Sequence, residues 1–310
     1  MPDHAVVMAC DAGYAPYAAV LAATIARHHP DRSFDICLCS QDQITLPAAF
    51  AGLGLRLIRL PAENPFAGGP HEDRHGAASY LRLMVPRLVA GQYRRLLYLD
   101  ADILCAGPGL DRLLRIGMGD SWLAAVRDNL QWRSPTRHVA EFRALGFGTG
   151  AYFNSGMLLI DVEGWMRAEV ESRALSLFRD HGAAMTRHDQ SLLNVLARGH
   201  WSELSPVWNW QYTWSSRFFA DLAEPRLVHF IGARKPWKDR GGALPARFRA
   251  PYAALAADWP GLPAPDMAGP EVAGWPPRLG RMFLKHWWAA RRMRDYLARF
   301  PDPFTALPPG

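Results

Sequence analysis

The ten residues Arg95-Leu96-Leu97-Tyr98-Leu99-Asp100-Ala101-Asp102-Ile103-Leu104 constrain this chain more than any other stretch. An apolar run of strand character ends in two carboxylates one residue apart. Strand alternation places side chains at 100 and 102 on one face. Two close carboxylates repel, and burying both without a partner costs energy. A divalent cation relieves that cost and can bridge to a diphosphate. D-x-D by itself is most often a solvated turn. At the mouth of a buried strand it is a better metal candidate.

The rest of the chain alternates strands with helices. Strands are expected at His4–Ala9, Phe34–Cys39, Leu55–Leu60, Arg95–Leu99, Leu123–Arg127, Gly156–Asp161 and Arg226–Ile231. Helices are expected at Tyr17–His28, Ala77–Val89 with a kink at Pro86, Glu163–His181 and His188–Ala197. This alternation predicts an α/β fold, Rossmann-like, with a doubly wound and mostly parallel sheet. Ligands in such sheets bind at the carboxyl ends of the strands. Asp11, Asp100, Asp102, Asp128 and His229 fall at or near such ends. A Pro/Gly-rich linker from about Pro260 to Pro277 divides a body, residues 1–259, from a tail, residues 260–310.

Charge separates these two parts. The segment from Arg278 to Arg299 holds seven basic residues against Asp295, which accounts for the whole net charge of +6. The body is formally neutral, which argues against a nucleic-acid partner. Four cysteines, Cys10, Cys37, Cys39 and Cys105, are too few and too irregular for a disulfide framework or a zinc site. Buried thiols and a reducing cytoplasmic compartment are expected. The N-terminus has no secretory pattern, and no apolar run is long enough to span a bilayer.

Six motifs, in order, resemble glycosyltransferase family 8, the retaining transferases that use nucleotide sugars. They are Ala9-Cys10-Asp11-Ala12-Gly13-Tyr14, Ser79-Tyr80-Leu81-Arg82-Leu83, and Leu97-Tyr98-Leu99-Asp100-Ala101-Asp102. Then follow Tyr152-Phe153-Asn154-Ser155-Gly156-Met157, His188-Asp189-Gln190-Ser191-Leu192-Leu193-Asn194, and His229-Phe230-Ile231-Gly232-Ala233-Arg234-Lys235-Pro236-Trp237. The likeness covers about residues 4–240 and leans toward bacterial lipopolysaccharide galactosyl- and glucosyltransferases, which also end in a basic, aromatic tail. It implies a GT-A type domain. The first motif departs from the family's A-D-D-N-Y at Cys10, Ala12 and Gly13.

The resemblance also implies roles. Asp100, Asp102 and His229 would hold Mn²⁺, with Mg²⁺ as the alternative; a mixed oxygen and imidazole set suits Mn²⁺ better than Ca²⁺. Lys235 and Gly232 would meet the donor diphosphate, and Ala9, Asp11, Tyr14 and Arg82 the rest of the donor. Asp128, Asn154, Asp189 and Gln190 would surround the sugar as the catalytic set. The implied reaction is metal-dependent transfer of galactose or glucose, with retention, from a UDP-sugar to a saccharide or glycolipid acceptor. Gln190, an amide, is a poor nucleophile, so front-face substitution is preferred to double displacement. The alternatives are a sugar-nucleotide hydrolase, a nucleotidyltransferase, or a silent sugar-nucleotide-binding protein. No G-x-x-x-x-G-K-[ST] loop supports the nucleotidyltransferase or hydrolase.

Three stretches carry open readings. Trp201, Trp208, Trp210 and Trp214 form either core filling or a sugar-stacking platform. His71, Glu72, Asp73, Arg74 and His75 form either a mobile lid or a solvated loop. In the tail, Leu279, Met282, Phe283, Trp287, Ala290, Met293 and Leu297 recur at steps of three and four, which predicts a basic amphipathic helix. Such a helix suits an anionic membrane surface on the inner face of the cell membrane. The plainer alternative is a helix packed on the body.

Overall fold

The computed structural model describes residues 2–69, 78–240, 244–259, 261–267 and 276–308. The polar stretch from His71 to His75 and most of the expected linker lie outside these residues. The strands are β1 (His4–Ala9), β2 (Asp35–Ser40), β3 (Leu55–Arg59), β4 (Arg95–Leu99) and β5 (Ile103–Cys105). They continue with β6 (Leu123–Arg127), β7 (Phe153–Asp161), β8 (Ser202–Glu203), β9 (Trp210–Gln211) and β10 (Leu227–His229). The main sheet runs β3-β2-β1-β4-β7-β6-β8, and a small second sheet runs β5-β10-β9.

The main sheet is parallel except for β7, which pairs antiparallel with both β4 and β6. Helices cover both faces, which is why its central strands read as nearly unbroken apolar runs. Alternation splits β4 cleanly. Leu97 and Leu99 enter one core, with α1 (Ala15–His28), while Leu96 and Tyr98 enter the other, with α2 (Leu81–Leu88). Pro86 lies inside α2. The other helices used below are α3 (Asn129–Trp132), α4 (Val162–Arg167), α5 (Val170–His181), α6 (His188–Leu196), α7 (Ala246–Asp258) and α8 (Pro276–Leu297). The doubly wound α/β expectation is met.

Three expectations change. The single helix expected over Glu163–His181 is two, α4 and α5, because Glu169 takes a left-handed backbone with φ of 50°. Apolar periodicity does not register such a break. Asp100 and Asp102 do not share a strand face: β4 ends at Leu99, and both carboxylates sit in the turn between β4 and β5. His229 does not end a strand of the main sheet; it ends β10 of the small one. The chain therefore crosses between sheets at the D-x-D, and β10 returns antiparallel to β5 with His229 paired to Ile103.

The tail helix packs on the body, and its apolar residues divide between two faces. Met282, His286, Ala289, Met293 and Tyr296 face inward, Tyr296 stacking on Trp132. Phe283, Leu284, Trp287 and Trp288 face outward, Trp288 at 78% exposure. The expected stripe thus mixed inward Met282 and Met293 with outward Phe283 and Trp287. Beyond α8, Leu307 pairs with Glu203 by two backbone hydrogen bonds. Beneath it the fully buried Glu203 carboxylate accepts two hydrogen bonds from Arg127 (2.9 and 2.7 Å) and two from Arg299 (3.0 and 2.9 Å). Tyr296 donates a fifth at 3.1 Å.

Candidate active site

The site forms where β7 leaves β6. Their register jumps from Ala125–Leu158 to Val126–Asn154, so Ser155 to Met157 lie opposite no residue of β6. Bulges of this kind redirect a strand beside functional groups. Here the freed Gly156 carbonyl accepts a hydrogen bond from the Asp100 amide at 2.8 Å. This fixes the D-x-D turn against β7.

Ligand atoms of Asp100, Asp102 and His229 lie within 4.8 Å of one another. His229 Nε2 is 3.1 Å from Asp102 Oδ1 and 3.9 Å from Asp100 Oδ2. Asp102 Oδ1 is buried and has no hydrogen-bond partner, an arrangement that leaves a buried carboxylate oxygen to be satisfied by something else. Gly156 supplies the room. A Cβ there would lie 2.8 Å from Asp100 Oδ2 and closer still to the His229 ring. The three side chains therefore fit a divalent cation, and any larger residue at 156 would fill its place. Lys235 Nζ donates to Asp102 Oδ2 at 2.6 Å and to the Phe230 carbonyl at 2.7 Å. Burial pushes the Asp102 carboxyl up, but His229 and Lys235 outweigh it and hold it below the usual carboxylate range.

Arg82 ties this set to the next. Only 6% exposed, it bonds Asp100 Oδ1 at 2.9 Å, approaches Asp189 at 3.0 Å and donates to the Ser155 carbonyl at 2.6 Å. Its guanidinium also lies over the Tyr98 ring at 4.6 Å. Burial alone would lower its pKa; the two carboxylates reverse that. Asp189 is held above its ordinary value by burial, against the pull of Arg82.

A chain of amides carries the geometry onward. His229 Nδ1 contacts Asn209 Oδ1 at 2.9 Å, and Asn209 donates to Asn154 Oδ1 at 2.9 Å. Asn154 donates to Gln190 Oε1 at 3.1 Å, as does the Ser155 amide. Gln190 Nε2 donates to Asp128 Oδ2 at 3.2 Å, and Arg187 lies 3.3 Å from the same oxygen. Asp128 uses its other oxygen to cap α3, accepting from the Leu130 amide. Asp100, Asp102, His229, Lys235, Arg82, Asn154, Asp128, Asp189 and Gln190 are thus one connected set.

The remaining candidates border it. Asp11 follows β1 and accepts from the Tyr14 amide at 2.9 Å. Burial raises the Tyr14 phenol, with Asp102 the next contributor, and its ring packs edge-on against Tyr17 and Trp237. Ala9 is the buried last residue of β1. Gly232 has φ of 80°, a turn that glycine adopts without strain. Asn209, which orients His229, escaped the sequence reading; it lies between Trp208 and Trp210, where only the aromatics drew notice. Those two and Trp201 are fully buried, and Trp214 is 44% exposed. All four thiols are buried and unpaired, and burial pushes Cys10 and Cys105 up to about 12.

A doubly wound sheet with two carboxylates and an imidazole gathered beyond its carboxyl edge defines an α/β domain with a candidate metal site where such sheets bind ligands. Within that class, the chain belongs to glycosyl transferase family 8, whose model matches residues 5–241. A lipopolysaccharide 1,2-glucosyltransferase of Escherichia coli strain K12 is 32% identical over 171 residues, 52% of this chain and 49% of that one. A lipopolysaccharide 1,3-galactosyltransferase of Salmonella typhimurium is 28% identical over 173 residues, 53% and 50% of the two chains. The chain spans roughly half the length of such curated relatives. The galactosyltransferase LgtC, solved with donor and acceptor sugar analogues, superposes with a TM-score of 0.66 at 26% identity, covering 81% of this chain and 96% of that one. Another LgtC structure carries an active-site Gln-to-Glu substitution and superposes with a TM-score of 0.62 at 26% identity, covering 75% and 89%.

Proposed function

We propose that this protein transfers galactose or glucose from a UDP-sugar, with retention, to a saccharide or glycolipid acceptor in lipopolysaccharide synthesis. The observation that carries this reading is the convergence of Asp100, Asp102 and His229 beside the Asn154–Gln190–Asp128 chain. Membership of family 8 and the lipopolysaccharide transferases among its relatives support the substrate class. Asp100, Asp102 and His229 would hold Mn²⁺, which supplies Lewis-acid stabilisation of the leaving diphosphate.

The chain's own residues do the rest. Lys235 places a cation beside Asp102, ready for a phosphate oxygen. Arg82 fixes Asp100 and Asp189 together. Gln190 Oε1 already accepts two hydrogen bonds, which makes its carbonyl a still weaker nucleophile. This favours front-face substitution, in which the leaving phosphate takes the acceptor proton. Gln190 and Asp189 then stabilise positive charge on the sugar electrostatically. The active-site glutamine of LgtC agrees with a role for an amide here.

The outer face of α8 supports attachment at the inner face of the cell membrane. Phe283 and Trp287 stand exposed on the helix with the exposed Arg291 and Arg294, the composition of an interfacial helix. No helix among the described residues is long and apolar enough to cross a membrane. Incubation with Mn²⁺ and UDP-galactose or UDP-glucose, with and without deacylated lipopolysaccharide, tests the proposal. An α-linked product by NMR is expected. A β-linked product, or no turnover of either donor, sinks it.

A further inference from the structure

A groove of about 1150 Å³ runs between α3, the turn that follows it, and the inner edge of α8. Its third wall is the turn from Thr213 to Ser216. Five cations line it: Arg133 and Arg137 on one side, Arg281, Lys285 and Arg292 on the other. No carboxylate lines it among the described residues. None of the five side chains makes an ion pair among the described residues. Elsewhere the protein pairs its arginines readily, as at Glu203, Asp128 and Glu171. Five like charges gathered in one concavity repel one another, and no carboxylate of the described residues pairs with them there. Arg133 is half-buried, and burial pulls its guanidinium below the ordinary arginine value.

Two of the walls start at the candidate active site. The groove begins at Asn129, the residue after Asp128, whose carboxylate holds Gln190. The Asn129 amide also donates to Gln211 at 2.8 Å. Gln211 belongs to β9, which pairs with His229 of β10 and runs into the turn from Thr213 to Ser216. The groove thus adjoins the Asp128–Gln190 side of the site. Asp102 and Lys235, placed for the donor diphosphate, are at the other end of the amide chain.

We propose that this groove binds the phosphate-bearing part of the acceptor saccharide. The inference rests on the glycosyltransferase reading for the word acceptor, but not for the binding itself. Guanidinium groups on facing walls match the several oxygens of a phosphate monoester, which they bind as paired donors. A single hexose fills only a fraction of such a volume, so the groove suits an oligosaccharide whose reacting end lies toward Gln190. Of the outward apolar residues of α8, Leu284 and Trp288 line the groove while Phe283 and Trp287 do not; a bilayer meets convex surfaces, and only the latter pair lies outside the concavity.

The test uses the full chain and one probe in two forms: deacylated rough lipopolysaccharide, before and after removal of its phosphates with hydrogen fluoride. Affinity is read by titration calorimetry. The phosphorylated form should bind about tenfold tighter or more, the scale of one or two charge-assisted hydrogen bonds. That preference should vanish in the double variant R133Q/R137Q and, on the opposite wall, in K285Q/R292Q. Equal affinity of the unmodified protein for both forms overturns the proposal. So does a variant pair that weakens both forms equally. If the preference survives both variants while they abolish sedimentation with phosphatidylglycerol vesicles, the cations serve the bilayer and the proposal fails. Donor hydrolysis by the unmodified protein, measured separately, tells failure of the glycosyltransferase reading from failure of this one.

Discussion

Two carboxylate centres of this protein, one fully buried and one partly buried, have opposite electrostatics. Glu203 is saturated: two arginines and a tyrosine give its oxygens five hydrogen bonds, and Arg127 and Arg299 balance its charge in excess. Asp102 is unfinished. One oxygen meets Lys235, while the other faces His229 and Asp100 with no hydrogen-bond partner. A saturated centre has nothing left to offer a ligand and serves the fold. It joins β6, β8 and the end of the tail in one knot. An unfinished centre costs stability and persists where a ligand completes it. The comparison separates structure from function without reference to sequence motifs.

The largest effect should come from breaking the saturated centre. Glu203→Gln leaves Arg127 buried without its counter-charge, and removing one partner of a buried pair costs about 3–5 kcal/mol. Urea unfolding should report this, while donor turnover per folded molecule stays within a small factor. Next comes the unfinished centre. Asp102→Asn should reduce Mn²⁺-dependent donor hydrolysis by about 100-fold, with a smaller stability loss than Glu203→Gln. Gly156→Ala should act in the same sense by filling the space between His229 and Asp100. If Asp102→Asn unfolds the protein as readily as Glu203→Gln does, the distinction between the two centres collapses.

The smallest effect concerns His286, on the inward face of α8 against Phe218 and Phe219. Burial holds its imidazole below the ordinary value of 6.5, and Arg133 adds to this, against the hydrogen bond to Met282. The unfolded chain therefore takes up a proton near pH 6.5 that the folded chain refuses. Proton uptake favouring the unfolded state means stability falls as pH drops below 6.5, until the folded-state pKa is passed. Melting curves of the unmodified protein and of His286→Leu between pH 7.5 and 5 should show the variant losing part of this slope. Parallel curves would remove His286 from the account.

Much of the site was readable because its residues lie in local patterns. Asp100 and Asp102 close an apolar run, and His229 and Lys235 share one short segment. Asn154 and Gly156 lie together, as do Asp189 and Gln190. Glu203 was not readable. It lies in the two-residue strand β8, and its partners come from residues 127, 296 and 299, with no period or spacing to link them. Asn209 was hidden for the same reason. The tail failed differently. A helical period reports that apolar residues share a side, but a helix with two apolar sides gives one ambiguous stripe.

By itself the sequence determined the strand and helix alternation, the doubly wound sheet and the cluster of ligand types around the D-x-D, since propensity and burial period act over a few residues. Only the tertiary structure decided how those ligands meet. The small β5-β10-β9 sheet brings His229 to the turn, the register jump in β7 aims Gly156 at the gap, and the docking of α8 sets Arg281, Lys285 and Arg292 across a groove from Arg133 and Arg137. Each depends on contacts between distant segments, whose energies are set by packing of the whole chain and leave no mark in any local window.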